Sequence, residues 1–170
     1  MRIGIIGYGR FGKLWAECLA DSGQEVLVYE KRVKSKKLKV KSCEFVSLDK
    51  VVKVDFLFLL VPISEIENIC REIARLLDKN TVVVDACSVK VFPAKIMIKY
   101  LPDKQPIIAT HPLFGPDSVG RFGLKGQKAL KTNFNFIISH IDPINQDSLW
   151  INNFSTLLVD LLLNLLFFPR

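Results

Sequence analysis

Gly7-Tyr8-Gly9-Arg10-Phe11-Gly12 constrains this chain more than any other feature, because of what flanks it. The apolar run Arg2-Ile3-Gly4-Ile5-Ile6 precedes it, and Phe11, Leu14, Trp15, Cys18 and Leu19 then recur at helical spacing. Strand, glycine turn and amphipathic helix in that order form the opening unit of a parallel sheet built to hold an anion at a helix start. Gly7 permits a tight turn, Gly9 lets backbone approach a pyrophosphate, and Gly12 lets the helix pack close to the sheet. Glu30 ends the next apolar run, Glu25-Val26-Leu27-Val28-Tyr29, where an acidic residue can accept hydrogen bonds from a ribose. The cofactor contacts expected from this pattern are Gly7, Gly9, Arg10, Phe11, Gly12 and Glu30, with Lys31 and Arg32 beside Glu30, and Val61 and Pro62 after a later strand.

Alternation of strand and helix continues down the chain. Residues 54–61 are nearly unbroken apolar, as in a parallel strand covered on both faces, and Pro62 ends the run. Ser64-Glu65-Ile66-Glu67 has capping-box form, and Ile66, Ile69, Cys70, Ile73 and Leu77 mark the buried face of the helix it would start. Strands are expected at 81–85 and 107–110, a short one at 43–46, a further one at 134–139, and a helix over 91–100. The fold class is α/β: a doubly wound, mostly parallel Rossmann-type sheet with helices on both faces. Residues 1–142 are expected to form this nucleotide-binding domain, and 143–170 a helical tail. In that tail, 157–168 carries only Asp160 and Asn164 as polar breaks. Twelve residues fall short of the ~20 that span a bilayer, so the expectation is no membrane and a partner-covered helix end, or a homodimer through the tail.

Charge and cysteines narrow the class further. Lys31, Arg32, Lys34, Lys36, Lys37, Lys39 and Lys41 carry the whole net charge of +7. That run reads as a solvated loop or as contact with a cofactor phosphate. Without interleaved aromatics or a recognition helix it does not argue for nucleic acid. Cys18, Cys43, Cys70 and Cys87 lack metal-ligand spacing, so no metal is expected. Reduced, mostly buried thiols in a cytoplasmic protein fit both them and an amino terminus that runs directly into its first strand.

Two histidines are present. His140, beside Asp142, is read as an ordinary surface side chain. His111 follows the strand at 107–110 and opens Thr110-His111-Pro112-Leu113-Phe114-Gly115-Pro116-Asp117-Ser118. Asp85-Ala86-Cys87-Ser88-Val89-Lys90-Val91-Phe92-Pro93 leaves the neighbouring strand at the same edge. Together with Gly7-Tyr8-Gly9-Arg10-Phe11-Gly12, this pair of motifs resembles the prephenate/arogenate dehydrogenase family, closest in flavour to arogenate dehydrogenases, over residues 2–140.

The resemblance implies NAD(P)-dependent oxidative decarboxylation of arogenate or prephenate in tyrosine biosynthesis. On that basis His111 would take the substrate hydroxyl proton, and Ser88 would hydrogen-bond the same hydroxyl or orient His111. Lys90 is either a helix-start surface charge or a member of this polar cluster. Between the cofactors, Glu30 favours NAD, while Lys31 and Arg32 are suited to the extra phosphate of NADP; the balance leans to NAD. The family also implies a second, helical domain that closes the site and binds the substrate carboxylate, and this chain ends where that domain is expected to begin. Two other readings stand beside the enzyme. One is a dinucleotide-binding module that turns over nothing alone. The other is a reductase of imines or 3-hydroxy acids, against which the Ser88/His111 pair argues.

Overall fold

In the computed structural model, the described residues are 1–32, 43–112, 115–119 and 136–140. Seven strands form one sheet: β1 (Arg2–Ile6), β2 (Glu25–Tyr29), β3 (Glu44–Phe45), β4 (Phe56–Leu59), β5 (Val82–Asp85), β6 (Ile107–Pro112) and β7 (Phe136–His140). Their spatial order is β3-β2-β1-β4-β5-β6-β7. The first six run parallel and β7 pairs antiparallel with β6. The order reverses between β1 and β4. In a doubly wound sheet this is where ligands lie, at the carboxyl ends of the strands.

The pleat sorts the core into two layers. Ile3, Ile5, Val26, Val28, Phe56 and Phe58 point to one face, where α1 (Arg10–Asp21) lays Trp15, Ala16 and Leu19 on them. Trp15 meets Phe58 edge-on at 5.6 Å and stacks with Phe11 at 6.0 Å. Ile6, Leu27, Leu57, Leu59 and Val83 face the other way. They are covered by α2 (Leu48–Val51), α3 (Ile66–Ile73) and α4 (Val91–Tyr100), through residues such as Val51, Ile69 and Met97. With both faces covered, β4 is buried throughout, as an unbroken apolar run demands.

Several local expectations change. The run 54–61 contributes only Phe56–Leu59 as strand, and the strand at 107–110 extends to Pro112, so His111 lies within it. No capping box forms at Ser64. Pro62, at φ −54° and ψ 146°, starts a 3-10 turn over Ile63–Glu65, in which the Glu65 amide donates to the Pro62 carbonyl at 2.8 Å. This leaves Glu65 to precede α3 without a side-chain cap. The thiols are less buried than expected: only Cys70 is fully buried, and Cys18, Cys43 and Cys87 are half-buried. The tail, 143–170, and most of the basic run lie outside the described residues. No helix among the described residues is long and apolar enough to cross a membrane.

Candidate functional site

The glycine loop closes on itself as its spacing requires. Gly7 sits at φ +102°, in the region that favours glycine, and its amide donates to the Tyr29 carbonyl at 2.9 Å. A Cβ on Gly12 would collide with the Gly7 carbonyl oxygen, so the start of α1 lies directly against the end of β1. Gly9 differs: no atom lies within 4 Å of where its Cβ would be, and it is exposed. The loop is therefore packed on its protein side and open at Gly9, beside the first amides of α1. That is the shape a pyrophosphate needs, and the residues present fit a dinucleotide.

Glu30 is fixed by the backbone around it. One carboxylate oxygen accepts the Tyr8 amide at 2.8 Å and the other accepts the Arg32 amide at 3.1 Å. The end of β2 is thereby tied to the glycine loop. Lys31 pairs with Glu72 at 3.4 Å, pointing toward α3. Tyr8 turns its ring away onto Phe45, edge-on at 4.9 Å, and burial pushes its hydroxyl up to about 12. Val61 is half-buried and Pro62 exposed, in the turn after β4 facing the glycine loop, and Gly7 would meet the Leu60 carbonyl if it carried a Cβ. Arg10 opens α1 and reaches Asp117 at 2.5 Å, on α5 (Pro116–Val119) beyond β6.

A second polar group lies at the ends of β5 and β6. The ladder between them stops at Asp85–Ala109, and side chains carry the connection further. The Thr110 hydroxyl donates to the Asp85 carbonyl at 2.6 Å. Lys90 donates to both carboxylate oxygens of Asp85 and to the Thr110 carbonyl. Lys90 stands at the start of α4 but is not a surface charge: its side chain is 19% exposed and that of Asp85 is 0%, and its bonds go to Asp85 and Thr110 rather than to Ser88 or His111. Burial pushes the Asp85 carboxyl up, while Lys90, the Cys87 amide and the adjacent His111 pull against it. His111 is half-buried in β6, next to the Thr110 carbonyl held by Lys90. Ser88 is exposed on the loop leaving β5. It shares an edge with His111, but among the described residues no hydrogen bond joins the two. His140 is paired with Ile108, three residues down the strand from His111.

Comparison with known proteins then decides the family. A family model, prephenate dehydrogenase, nucleotide-binding domain, matches residues 22–156. The chain belongs to that family. Arogenate dehydrogenase 1 (chloroplastic) of Arabidopsis thaliana is 34% identical over 123 residues, covering 70% of this chain and 19% of its own length. A prephenate dehydrogenase from A. aeolicus, solved with hydroxyphenyl propionate and NAD+, aligns with a TM-score of 0.57 at 21% identity, over 66% of this chain and 42% of that one. An imine reductase from Bacillus cereus BAG3X2 aligns with a TM-score of 0.70 at 18% identity, over 97% of this chain and 52% of that one. At such identities the two structures establish the shared fold and leave chemistry to the side chains. The chain thus spans about a fifth of that curated relative, about two fifths of the prephenate dehydrogenase and about half of the imine reductase.

The family match begins after the glycine loop, so the case for a cofactor there rests on the loop's own geometry. Sequence pattern alone assigns no role to two polar residues of this edge, Asp85 and Asp117. Asp85 was visible in principle, as the single charge closing Val82-Val83-Val84 five residues before a lysine. Asp117 had no such signal, because its partner is 107 residues away.

Proposed function

We propose that this chain is the cofactor half of an arogenate or prephenate dehydrogenase and that the cofactor is NAD. The observation that carries the reading is the common edge: the glycine loop follows β1, and His111 stands next to last in β6, which runs parallel to β1 in the same sheet. A dinucleotide held there would supply the hydride acceptor for the ring carbon that bears the substrate hydroxyl. The chain's own contribution is positional and acid–base. Gly9 and the first amides of α1 receive the pyrophosphate, and Arg10 and Phe11 flank it. Val61 and Pro62 line the opposite side of the crevice. His111 takes the hydroxyl proton as hydride departs, and Ser88 hydrogen-bonds that hydroxyl. Loss of CO2 then leaves an aromatic ring, so the protein need only hold the reacting atoms in place. Lys90, already shared between Asp85 and Thr110, serves the site by fixing the strand that carries His111.

Glu30 supports NAD over NADP. A carboxylate beside a 2′-phosphate is tolerable if it turns away, and the Tyr8 and Arg32 amides hold this one where it is. A 2′-hydroxyl can still donate to it. Lys31, which could have offset the charge, points to Glu72.

A second reading, a binding module without turnover of its own, is favoured by the rim of the same edge. Ile63, Val89, Val91 and Phe92 are 40%, 55%, 68% and 48% exposed, on the 3-10 turn after β4, the loop after β5 and the first turn of α4. They are unlike the polar rim of a finished pocket and suit a site still to be covered by further protein. The two readings separate in one experiment. NAD and NADP binding are measured by calorimetry, then arogenate and prephenate are added while the reduced-nicotinamide absorbance is followed. Turnover that disappears in His111→Asn with binding intact supports the enzyme. Tight NAD binding without turnover supports the module, and absence of binding overturns both.

A further inference from the structure

The Arg10–Asp117 pair joins two segments that the sheet holds well apart. β6 lies three strand positions from β1, in the order β1-β4-β5-β6, a separation of about 14 Å at ~4.8 Å per strand. Yet Asp117, on the short helix that follows β6, reaches the guanidinium of the first residue of α1 at 2.5 Å. The connection therefore passes over the carboxyl ends of β4 and β5. Any ligand running from the glycine loop toward His111 must share that space. The contact is also of a kind that gives way: both side chains lie in solvent, 73% and 85% exposed. Exposed pairs of this sort are worth little. A pyrophosphate seated at Gly9 offers the same guanidinium two anionic oxygens in the planar geometry it prefers, next to the positive end of α1.

We propose that Arg10 is a shared cation: Asp117 holds it in the free protein, and the dinucleotide pyrophosphate takes it over on binding. Asp117 thereby competes with the cofactor for Arg10. The inference rests on the dinucleotide reading above and adds to it a residue that tunes affinity from outside the pyrophosphate cradle.

NAD titrations by calorimetry on four forms of the 170-residue chain test it: unsubstituted, Asp117→Asn, Arg10→Ala and the double substitution. Asp117→Asn is expected to tighten NAD binding about two- to fivefold, the range an exposed pair can supply. Arg10→Ala is expected to weaken it about tenfold, through loss of charge-assisted bonds to phosphate. In the Arg10→Ala background, Asp117→Asn is expected to change nothing. Weaker or unchanged binding in Asp117→Asn would overturn the competition and make the pair a wall of the site. Equal tightening with and without Arg10 would also overturn it, because Asp117 would then act by plain repulsion of the ligand. Failure of the unsubstituted chain to bind NAD removes the dinucleotide reading itself, an outcome distinct from both.

Discussion

The Glu30 carboxylate accepts the Tyr8 amide at 2.8 Å, and this bond makes the end of β2 and the glycine loop one unit. Its second oxygen takes the Arg32 amide at 3.1 Å, so neither oxygen is at liberty to swing out without leaving an amide behind. The carboxylate proposed to tell a ribose hydroxyl from a ribose phosphate is thus held by the backbone it helps to fold.

Replacing Glu30 with Gln keeps an acceptor for one amide and removes the charge. NAD binding is expected to weaken about tenfold and NADP binding to strengthen, since hydrogen bonds to charged groups are worth roughly 1.5–3 kcal/mol. Calorimetry with both cofactors measures the ratio. A variant that keeps the unsubstituted preference would remove Glu30 as its determinant.

Gly12 and Gly9 should separate stability from binding. Alanine at Gly12 places a Cβ against the Gly7 carbonyl, a backbone atom with nowhere to go, so Gly12→Ala is expected to cost about 1–3 kcal/mol of stability by overpacking. Alanine at Gly9 meets open space at φ −71°, so urea unfolding should scarcely change while NAD affinity falls. Equal stability losses in the two variants would contradict the packing described.

What the sequence made legible follows the range of each interaction. The glycine loop, the apolar stretch Phe56–Leu59 of β4 and the face Ile66, Ile69, Cys70 and Ile73 of α3 are set by neighbours a few residues apart and appear as expected. Leu77, expected on the same face, lies past the end of α3 at Ile73. Ser64 failed as a cap although its pattern was sound, because Pro62 fixes the backbone two residues earlier and starts a tighter turn. The two readings of Lys90 could not be separated from spacing alone: the Thr110 carbonyl that helps to hold it comes from another strand. The helix α2 spans only Leu48–Val51, too short for any periodicity to announce. Asp117 was invisible for the same reason as Thr110, at a larger separation.

The Asp85–Lys90 pair predicts an asymmetric mutant series. Lys90→Met strands a fully buried carboxylate, which should cost about 3 kcal/mol, the scale for breaking a buried pair. Asp85→Asn should cost less, because the partly exposed ammonium can turn to water and the amide can still accept. Asp85→Asn combined with Lys90→Met should cost less than Lys90→Met alone. Urea unfolding of the three variants checks the order, and simple additivity would mean that the two charges do not act on each other.

Stability should also fall on the alkaline side. Burial pushes Cys18 and Cys70 up to about 12 and Cys87 up to about 11, against an ordinary thiol value of 9.0, and Asp85 adds to the shift at the last two. Between the ordinary and the raised values the folded chain keeps protons that the unfolded chain releases. Unfolding is then favoured as pH rises, by about 1.4 kcal/mol per pH unit for each fully shifted group. The contribution is intact below the unfolded thiol value and is lost progressively as pH climbs from there toward the folded one. Urea midpoints should therefore be level near neutrality and decline steeply above about pH 9. Cys70→Ala, which removes one such thiol from the core, should begin less stable at neutral pH because of the cavity, yet lose less on going alkaline. A Cys70→Ala decline as steep as that of the unsubstituted chain would show that this thiol does not contribute to the alkaline loss.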